Sequence, residues 1–259
     1  MCANYVPVTR SDRMLKFFGV SRAQDELPAD VWPGGLAPFI RLAEPGSGNP
    51  LALEEGKFGL VAPGRAEMEK GHRGHHNARS ETVAQLWSFR QAWAEGRRCI
   101  IPSEQIYEPF YASPAGNSQR WRIWQRHDIP MGIAGIYRWS RFENGNEGWT
   151  FAMLTVNADD HPLMQRFHRH GDEKRMVVIL AEADYGPWLQ CPVAQAPRFF
   201  RQWHGPLEAE AAPLPPGRRF RPTPELEEPA APKPRPAQAP KPPKPPPSPP
   251  PAPTTGDLF

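Results

Sequence analysis

Proline divides this chain into two unlike parts. Twenty of its 35 prolines lie in the last 54 of its 259 residues, from Pro206 to Phe259. A segment that is more than one-third proline and poor in aromatic and β-branched residues cannot bury enough apolar surface to offset the entropy lost on ordering. We therefore predict a disordered, partly polyproline II tail at 206–259. The residues before it, 1–205, are expected to form one domain with a sizeable core.

Composition and charge exclude several classes of protein. The longest apolar run, Met176–Ala181, is far too short to span a membrane. The first residues lack the charged and then apolar regions of a secretory signal. Three cysteines are too few for a disulfide framework, and they fit a reducing cytoplasm. The net charge is only +3, so any nucleic-acid site must be a local patch.

Hydrophobic spacing predicts a mixed fold. The strongest helix is predicted at Ser80–Glu95, because apolar side chains recur there at helical intervals and Gly96 follows. Shorter helices are expected at Met14–Gly19 and Tyr185–Gln190. Alternating patterns predict strands at Lys57–Val61, Cys99–Ile101, Gln105–Tyr111, Trp121–Gln125, Met131–Trp139, Trp149–Thr155 and Met176–Leu180, with turns at Asn117-Ser118 and Asn144-Gly145. The expected fold class is α+β, with a largely antiparallel, barrel-like sheet core and peripheral helices.

Cys2 has the most distinctive chemistry in the chain. Once an initiator Met is removed, the chain begins with a cysteine that carries an amine and a thiol on adjacent carbons. The amine has a reference pKa of about 7.7–8.0, so much of it is neutral and can attack an aldehyde. The thiol can then close on the imine carbon to form a five-membered thiazolidine. The competing interpretation is an ordinary cysteine at a frayed terminus.

Three other segments carry side chains that suit such chemistry. Asn77 and Arg79 precede the long predicted helix, where an amide can orient a neighbour and a guanidinium can bind phosphate. Glu108 lies in an apolar and aromatic strand, where a raised pKa would suit a general acid or base. His168 can titrate near neutral pH and begins a cationic segment that runs to Arg175. Taken singly, these are also an ordinary helix start, an amphipathic strand and a polar loop.

Taken together, these segments resemble the SRAP family, the SOS response-associated peptidases that are also called abasic site processing proteins. The resemblance covers about residues 1–190. It rests on Met-Cys at the start, Asn-Ala-Arg-Ser-Glu-Thr at 77–82, Ile-Pro followed by Tyr107-Glu108, and a histidine followed by Arg175-Met176 and an apolar strand. The segment at 77–82 is the most specific of these, and Cys2 is the decisive residue.

The resemblance implies a protein that binds single-stranded DNA carrying an abasic site. Its N-terminal cysteine would form a thiazolidine with the ring-opened sugar aldehyde, and the cross-link would shield the lesion. Carried over to this chain, Cys2 is the nucleophile and Asn77 holds the cysteine terminus and the sugar. Glu108 would assist ring opening and proton transfers, and His168 would stabilise the open-chain intermediate and take part in forming and reversing the link.

The resemblance also implies how DNA is held and where the protein works. Arg79 and Arg175 would contact phosphate beside the lesion, and Thr155 is assigned to the same DNA site. The peptidase name fits a hydrolase that removes Met1, with lyase-type chemistry as a second activity. No cofactor or metal is expected. We expect a monomer in the cytoplasm that takes part in the response to DNA damage and, in a bacterium, associates with the nucleoid.

The chain departs from the family pattern at three positions near these motifs. Asn4 stands where many members carry Arg two residues after the cysteine. Phe58 precedes Gly59-Leu60 where many members have Trp, and Pro109 follows Tyr107-Glu108 where many have Trp. The last difference removes one ring expected to stack on a base.

The spacing of the histidine is a fourth departure. His168 lies seven residues before Arg175, where many members have His-x-Arg-Met. His170 is therefore a rival candidate for the catalytic histidine, and His161 is a weaker one. We prefer His168 because Phe167 before it matches the apolar residue that precedes the histidine in the family.

Other functions remain open from the residues alone. In an N-terminal-nucleophile peptidase, Cys2 would attack a peptide carbonyl with its own amine as the base. Histidines cluster at 72–76 and 161–170, but neither group has the spacing of a zinc site. The function could instead lie in the tail, whose last residues, Leu258 and Phe259, resemble the short peptides that bacterial proteins insert into the sliding clamp. The Lys-Pro repeats at 240–247 are an alternative electrostatic contact to DNA.

Overall fold

The structure is a computed structural model that describes residues 2–22, 30–61, 75–142 and 145–215. The chain divides into two units, Met1–Leu226 and Glu227–Phe259, and the second lies wholly outside the described residues. So do the predicted clamp-binding residues Leu258 and Phe259, the histidine at 72 and the predicted turn residue Asn144.

Strands dominate the described part of the chain. The strands are β1 (Asn4–Pro7), β2 (Leu36–Leu42), β3 (Leu51–Phe58), β4 (Asn77–Arg79), β5 (Arg98–Phe110), β6 (Gln119–Gln125), β7 (Met131–Arg141), β8 (Glu147–Asn157), β9 (Arg175–Val177), β10 (Ile179–Leu180) and β11 (Leu207–Ala211). The α-helices are α1 (Ser11–Phe18), α2 (Arg90–Ala94) and α3 (Tyr185–Gln190). None of the helices in the described ranges is long and apolar enough to cross a membrane.

All the strands belong to one sheet, which closes on itself. The order β7–β8–β3–β2–β5 returns to β7 through a direct pairing of β5 with β7, so five strands form a ring of pairings. Most pairings are antiparallel, but β3 and β4 both lie parallel to β8. The short strands β1, β6, β9, β10 and β11 extend this ring at its rims. The predicted α+β class and largely antiparallel sheet are therefore confirmed.

The core fills the ring and the space beneath the short helices. Its centre is a group of large, fully buried aromatic and aliphatic side chains, in which the ring of Phe151 contacts those of Phe39 and Phe58 with centroids 5.5 and 5.6 Å apart. Such aromatic pairs add to the free energy gained by burying their area. This core holds β5 and β8 rigidly, and both strands carry candidate site residues at their ends.

The prediction of a long helix at Ser80–Glu95 is wrong. Only its last part, α2, is helical, and residues 80–89 form successive turns. The backbone N–H of Ser80 donates to the carbonyl of Thr155 in β8, so the segment starts as a continuation of the sheet. Serine, threonine and aromatic residues between 80 and 89 have modest helix propensity, so tertiary contacts decide the backbone here.

The start of the predicted tail is also ordered. Leu207–Ala211, placed in the tail by its proline content, forms β11 and pairs with β6 from Trp121 to Gln125. Two ion pairs support this edge, because Arg122 binds Glu210 and Arg126 binds Glu208. The folded region therefore continues past the predicted boundary at residue 205, because β11 forms its hydrogen bonds and packing contacts with β6 of the domain.

Candidate active site

Cys2 is held at one rim of the ring by β1. This strand pairs with β5 so that Asn4 lies opposite Tyr107, which brings the start of the chain beside Glu108. The Asn77 side-chain amide donates from Nδ2 to the Cys2 carbonyl oxygen at 2.8 Å. The β4 strand that carries Asn77 is fixed by its parallel pairing with β8, in which Asn77 lies opposite Met153. The structure thus brings together Cys2, Asn77 and Glu108, three of the residues predicted for the site.

The Cys2 thiol is shielded from water. Cys2 is 1% exposed, and its Sγ lies 3.5 Å from the carbonyl oxygen of Asn4. Burial, and then the negative charge of Glu108, raise the pKa of the Cys2 thiol well above its ordinary value. The thiol is therefore protonated at neutral pH, and a reaction at this sulfur needs a nearby base to accept its proton.

Glu108 and His168 form a buried pair. His168 Nε2 lies 2.9 Å from Glu108 Oε2, and Glu108 is completely buried. The backbone N–H of Arg175 donates to His168 Nδ1 at 3.3 Å, so Nδ1 is an acceptor and the ring proton resides on Nε2. His168 Nε2–H therefore donates to the Glu108 carboxylate. The backbone N–H of Arg175 thus fixes the tautomer of the His168 imidazole.

The protonation state of Glu108 differs from the sequence-based expectation. Burial alone would raise the pKa of the Glu108 carboxyl, as predicted from its apolar strand. The positive charge of the chain's N-terminus, followed by the charge and hydrogen bond of His168, outweighs burial, and the pKa of Glu108 lies below its ordinary value. Glu108 is therefore a carboxylate at neutral pH, which suits a base better than an acid in the free protein.

An unusual backbone conformation aims His168 at Glu108. His168 has φ of +64°, in the left-handed region that non-glycine residues seldom adopt. Its backbone N–H donates to the carbonyl of Pro109 at 2.7 Å, and Phe167 forms a bridge to Phe110. These contacts to the end of β5 hold the loop against Glu108 and offset the local strain.

The two rival histidines are engaged elsewhere. His161 Nδ1 accepts backbone N–H groups from Leu163 and Met164, and its Nε2 contacts the carbonyl of Trp203. His170 Nε2 lies 3.0 Å from the carbonyl of Tyr111. Both rings therefore hold loop backbone, whereas His168 contacts a buried carboxylate. The geometry favours His168, despite the seven residues that separate it from Arg175.

The arginines predicted to bind DNA lie in a network of charges beside this pair. Arg79 Nη1 binds Glu173 Oε2 at 2.8 Å, and the Arg79 side chain is 36% exposed. Arg175 is buried, with its guanidinium donating to Glu81, to Glu173 and to the carbonyl and hydroxyl oxygens of Thr155. Arg79 thus faces solvent, whereas Arg175 and Thr155 lie beneath it and link β9 to β8.

Two carboxylates in this network had no role in the sequence-based prediction. Hydrogen bonds from Arg175 keep the pKa of Glu81 low, although partial burial opposes the shift. Glu173 has a lowered pKa for the same reason, with Asn157 and Arg175 both donating to it. The sequence does hold a signal for them, because an arginine in an apolar strand needs a carboxylate partner when it is buried.

Arg120 is a further residue that sequence reasoning missed. Its guanidinium donates to Asn4 Oδ1 through Nε at 3.0 Å and through Nη2 at 2.6 Å. It also binds Asp30 and lies over the ring of Tyr107. Asn4, which differs from the arginine common in the family, therefore receives a guanidinium from β6. This contact fixes β1, and with it the position of Cys2.

Aromatic side chains lie next to Glu108, although Pro109 stands where many members of the family have Trp. Trp121 lies directly opposite Glu108 in the pairing of β5 with β6 and is only partly buried. Its ring packs against those of Phe110, with centroids 4.8 Å apart, and Phe167. Arg166 lies over Trp121 with its Cζ 5.6 Å from the ring centroid. The sheet thus presents an aromatic and cationic surface beside the candidate site.

Within residues 2–22, 30–61, 75–142 and 145–215, no three His, Cys, Asp or Glu side chains are grouped so as to hold a metal ion. The candidate histidines instead contact carbonyl groups, backbone N–H groups or a carboxylate. The side chains grouped at the candidate site carry a thiol, an amide, a carboxylate and an imidazole.

Comparison with known proteins places this geometry in context. The family model described as SOS response associated peptidase (SRAP) matches residues 1–213. A solved protein from Bordetella bronchiseptica is 37% identical, covering 82% of this chain and all of that chain, with a TM-score of 0.73. Two further solved proteins share the fold. One, from Bacteroides thetaiotaomicron, is 19% identical, covers 81% of this chain and 91% of its own, and has a TM-score of 0.64. The other, a phage-related protein from B. bronchiseptica, is 19% identical, covers 82% of this chain and 94% of its own, and has a TM-score of 0.59. No curated protein matches.

Proposed function

Because the chain belongs to the SOS response associated peptidase family, we propose that it senses abasic sites in single-stranded DNA and cross-links to them through Cys2. The observation that carries this proposal is the Asn77 hydrogen bond to the Cys2 carbonyl beside the buried Glu108–His168 pair. That constellation holds an N-terminal cysteine next to a base. An amine, a thiol and a carboxylate base are the groups that thiazolidine formation requires.

Met1 must leave before the reaction can occur. While the Met1–Cys2 peptide bond is intact, the Cys2 nitrogen is an amide and cannot attack an aldehyde. Hydrolysis of that bond adds one water, releases methionine and leaves a Cys2 amine. Asn77 binds the Cys2 carbonyl, which is retained after cleavage, so the new terminus keeps its place near Glu108.

The proposed cross-linking then runs in two bond-forming steps. Glu108 takes a proton from the Cys2 ammonium, and the neutral amine attacks the aldehyde carbon of the ring-opened sugar. The carbinolamine loses one water, with its proton supplied by the Glu108–His168 pair, and an imine forms. The thiol then adds across the C=N bond, so that a C–S bond forms while its proton passes through Glu108 to nitrogen.

The raised pKa of the Cys2 thiol favours this order over direct attack by sulfur. A buried, protonated thiol is a poor nucleophile toward a peptide carbonyl. An imine bonded to the same residue lies within reach of the thiol and gains an electrophilic carbon. The high thiol pKa therefore disfavours an N-terminal-nucleophile peptidase that acts on added peptides.

DNA would be held across the face that carries Arg79 and Trp121. Arg79 is exposed enough to meet a phosphate, and Trp121 offers a ring for a neighbouring base. Arg175 and Thr155 would act beneath that contact, because both are buried. Binding of this kind weakens steeply as salt rises.

The test is a denaturing gel with single-stranded DNA that contains one abasic site. Mass spectrometry first establishes that each chain begins at Cys2. The wild-type chain should give an adduct that survives denaturation without a reductant and weighs one water less than the sum of its parts. Cys2→Ser should give an adduct only when borohydride traps the imine, because the amine remains but the thiol is gone.

A matched control and two contrary outcomes make the test decisive. Cys191→Ala removes a thiol from outside the site and should cross-link like the wild type. No adduct with fully processed wild-type chain would refute the proposal. Cleavage of added peptides by the wild type, absent in Cys2→Ala, would establish the peptidase alternative.

A further inference from the structure

Glu173 occupies a place suited to a phosphate. Its Oε2 binds Arg79 Nη1 at 2.8 Å, and its Oε1 accepts from Arg175 Nη1 at 2.7 Å and from Asn157 Nδ2 at 3.0 Å. Two guanidinium groups and an amide therefore converge on one anionic group. Charged donors of this kind recognise the oxygens of phosphate as well as those of carboxylate.

The site is closed to a second anion while Glu173 remains there. Arg175 is 2% exposed, so an outside ligand can reach its Nη1 only by replacing the carboxylate that covers it. The paired charges also balance, because the cations Arg79 and Arg175 face the anions Glu81 and Glu173. Loss of the Glu173 contact leaves one net positive charge, which is what binding a phosphate diester requires.

We infer that Glu173 is an internal competitor for the backbone phosphate of single-stranded DNA, and that DNA binds fully only when this side chain swings out of the Arg79–Arg175–Asn157 site. The inference rests on the proposed function and extends it, since it identifies what holds the phosphate site before DNA arrives. Asn157 becomes a phosphate-contacting residue in the same step.

The backbone around Glu173 allows such a movement at little cost. The next residue, Lys174, is anchored through its N–H to Asp159 Oδ1 at 2.7 Å and through its carbonyl to the N–H of Ala158. Glu173 is itself 34% exposed in its side chain, so it can turn toward water by changing rotamer while the loop stays in place. Arg175 keeps its bonds to Glu81 and Thr155 throughout.

The experiment compares Glu173→Gln with wild type for binding of undamaged single-stranded DNA. Glutamine keeps the shape of the side chain but loses its charge, so phosphate should displace it more easily. We expect binding about twofold to tenfold tighter at low salt, since the Glu173 carboxylate no longer competes for Arg79 and Arg175. The slope of log K against log salt should steepen by about 0.7, the value for one more neutralised phosphate on a single strand.

Glu210→Gln is the matched control. It removes the same charge from an exposed Glu–Arg pair, here with Arg122 on β11 and β6. If the two variants tighten binding equally, only net charge matters and the inference fails. If Glu173→Gln weakens binding, Glu173 serves to position the arginines and the inference also fails. Thermal unfolding of both variants shows that the comparison is between folded chains.

Failure of this inference is distinguishable from failure of the cross-linking proposal. If the chain forms Cys2-dependent adducts but Glu173→Gln binds undamaged DNA with the wild-type affinity, only the competitor role of Glu173 is overturned. Tighter and more salt-sensitive binding by Glu173→Gln, in a chain that forms no adduct, would support the competitor role and refute the cross-linking chemistry.

Discussion

Replacing Glu108 separates the structural role of this carboxylate from its proposed role in proton transfer. Glu108→Gln retains an oxygen that can accept the His168 Nε2–H, whereas Glu108→Ala removes the acceptor. The backbone N–H of Arg175 binds Nδ1, so the ring cannot simply reverse its tautomer. In Glu108→Ala, a buried donor is therefore left without its partner.

The magnitudes follow from this geometry. An orphaned buried donor costs about 1–3 kcal/mol, so Glu108→Ala should lower the free energy of unfolding by at least that amount. Glu108→Gln loses a charge-assisted hydrogen bond but no longer buries a carboxylate, and these effects largely cancel to within about 1 kcal/mol. Both variants lose the base, so cross-linking should slow by about 10²–10⁴-fold.

The assay measures adduct formation over time with protein in excess over abasic single-stranded DNA. All chains are first shown to begin at Cys2, and their stability is measured by urea unfolding. Glu104→Gln is the control on the same strand, because Glu104 forms a partly exposed pair with Arg13 and should retain the wild-type rate. Glu108→Gln that cross-links at the wild-type rate would refute the proton-transfer role. A Glu108→Gln chain as unstable as Glu108→Ala would refute the assignment of the hydrogen bond.

Three further predictions test the same site. Asn77→Ala should lower stability by about 1 kcal/mol and slow cross-linking by about 10–100-fold, since the Cys2 carbonyl loses its donor; a wild-type rate would show that β1 alone positions Cys2. His168→Asn should abolish most cross-linking while His170→Asn preserves it, as measured on the same gel; the reverse result would make His170 the catalytic histidine. The pKa of Glu108 is lower in the folded chain than in the unfolded chain. The stability that its carboxylate contributes is therefore present above the pKa of the unfolded chain and is lost as pH falls through the pKa of the folded chain. The unfolding free energies of wild type and Glu108→Gln should therefore differ by a constant amount from pH 7 to about pH 5 and diverge from that amount only below about pH 4.5, as followed by urea titration.

The sequence predicts the elements whose signal is local. The helix at Tyr185–Gln190 is confirmed at both ends, and the strand patterns around Glu108 fall within β5 except for Tyr111, one residue beyond its end. These segments carry their periodicity within a few residues. The two patterns at 99–101 and 105–111 join into one strand, because Pro102 sits in the ladder opposite Gly132 without interrupting it.

What the sequence could not predict depends on distant partners. The β4 strand has three residues and becomes a strand only through its parallel pairing with β8. β11 likewise depends on β6, and the turns at 80–89 depend on the bond from Ser80 to Thr155. Short segments cannot show their period, and no local rule states which strand edge will be available to them.

The candidate site follows the same division. Cys2, Asn77, Glu108 and His168 can be singled out from the sequence because their four segments together resemble one family, although each segment alone also has an ordinary interpretation. The protonation states of these residues cannot be predicted from the sequence. The Glu108 pKa is lowered first by the positive charge of the chain's N-terminus and then by His168, which lie about 107 and 60 positions away in sequence. Long-range electrostatics therefore reversed the direction that local hydrophobicity indicated.

Arg175 links the proposed proton-transfer pair to the proposed DNA-binding face. Its backbone N–H holds His168 in the tautomer that donates to Glu108, while its guanidinium shares Glu173 with Arg79. The guanidinium contacts to Glu81 and Thr155 fix the start of β9, and hence the N–H that His168 accepts. A phosphate that replaces Glu173 would therefore bind directly to the residue that orients the imidazole. In the proposed function, occupation of the phosphate site and alignment of the His168–Glu108 pair would depend on the same residue, Arg175, and would be coupled without any larger rearrangement of the sheet.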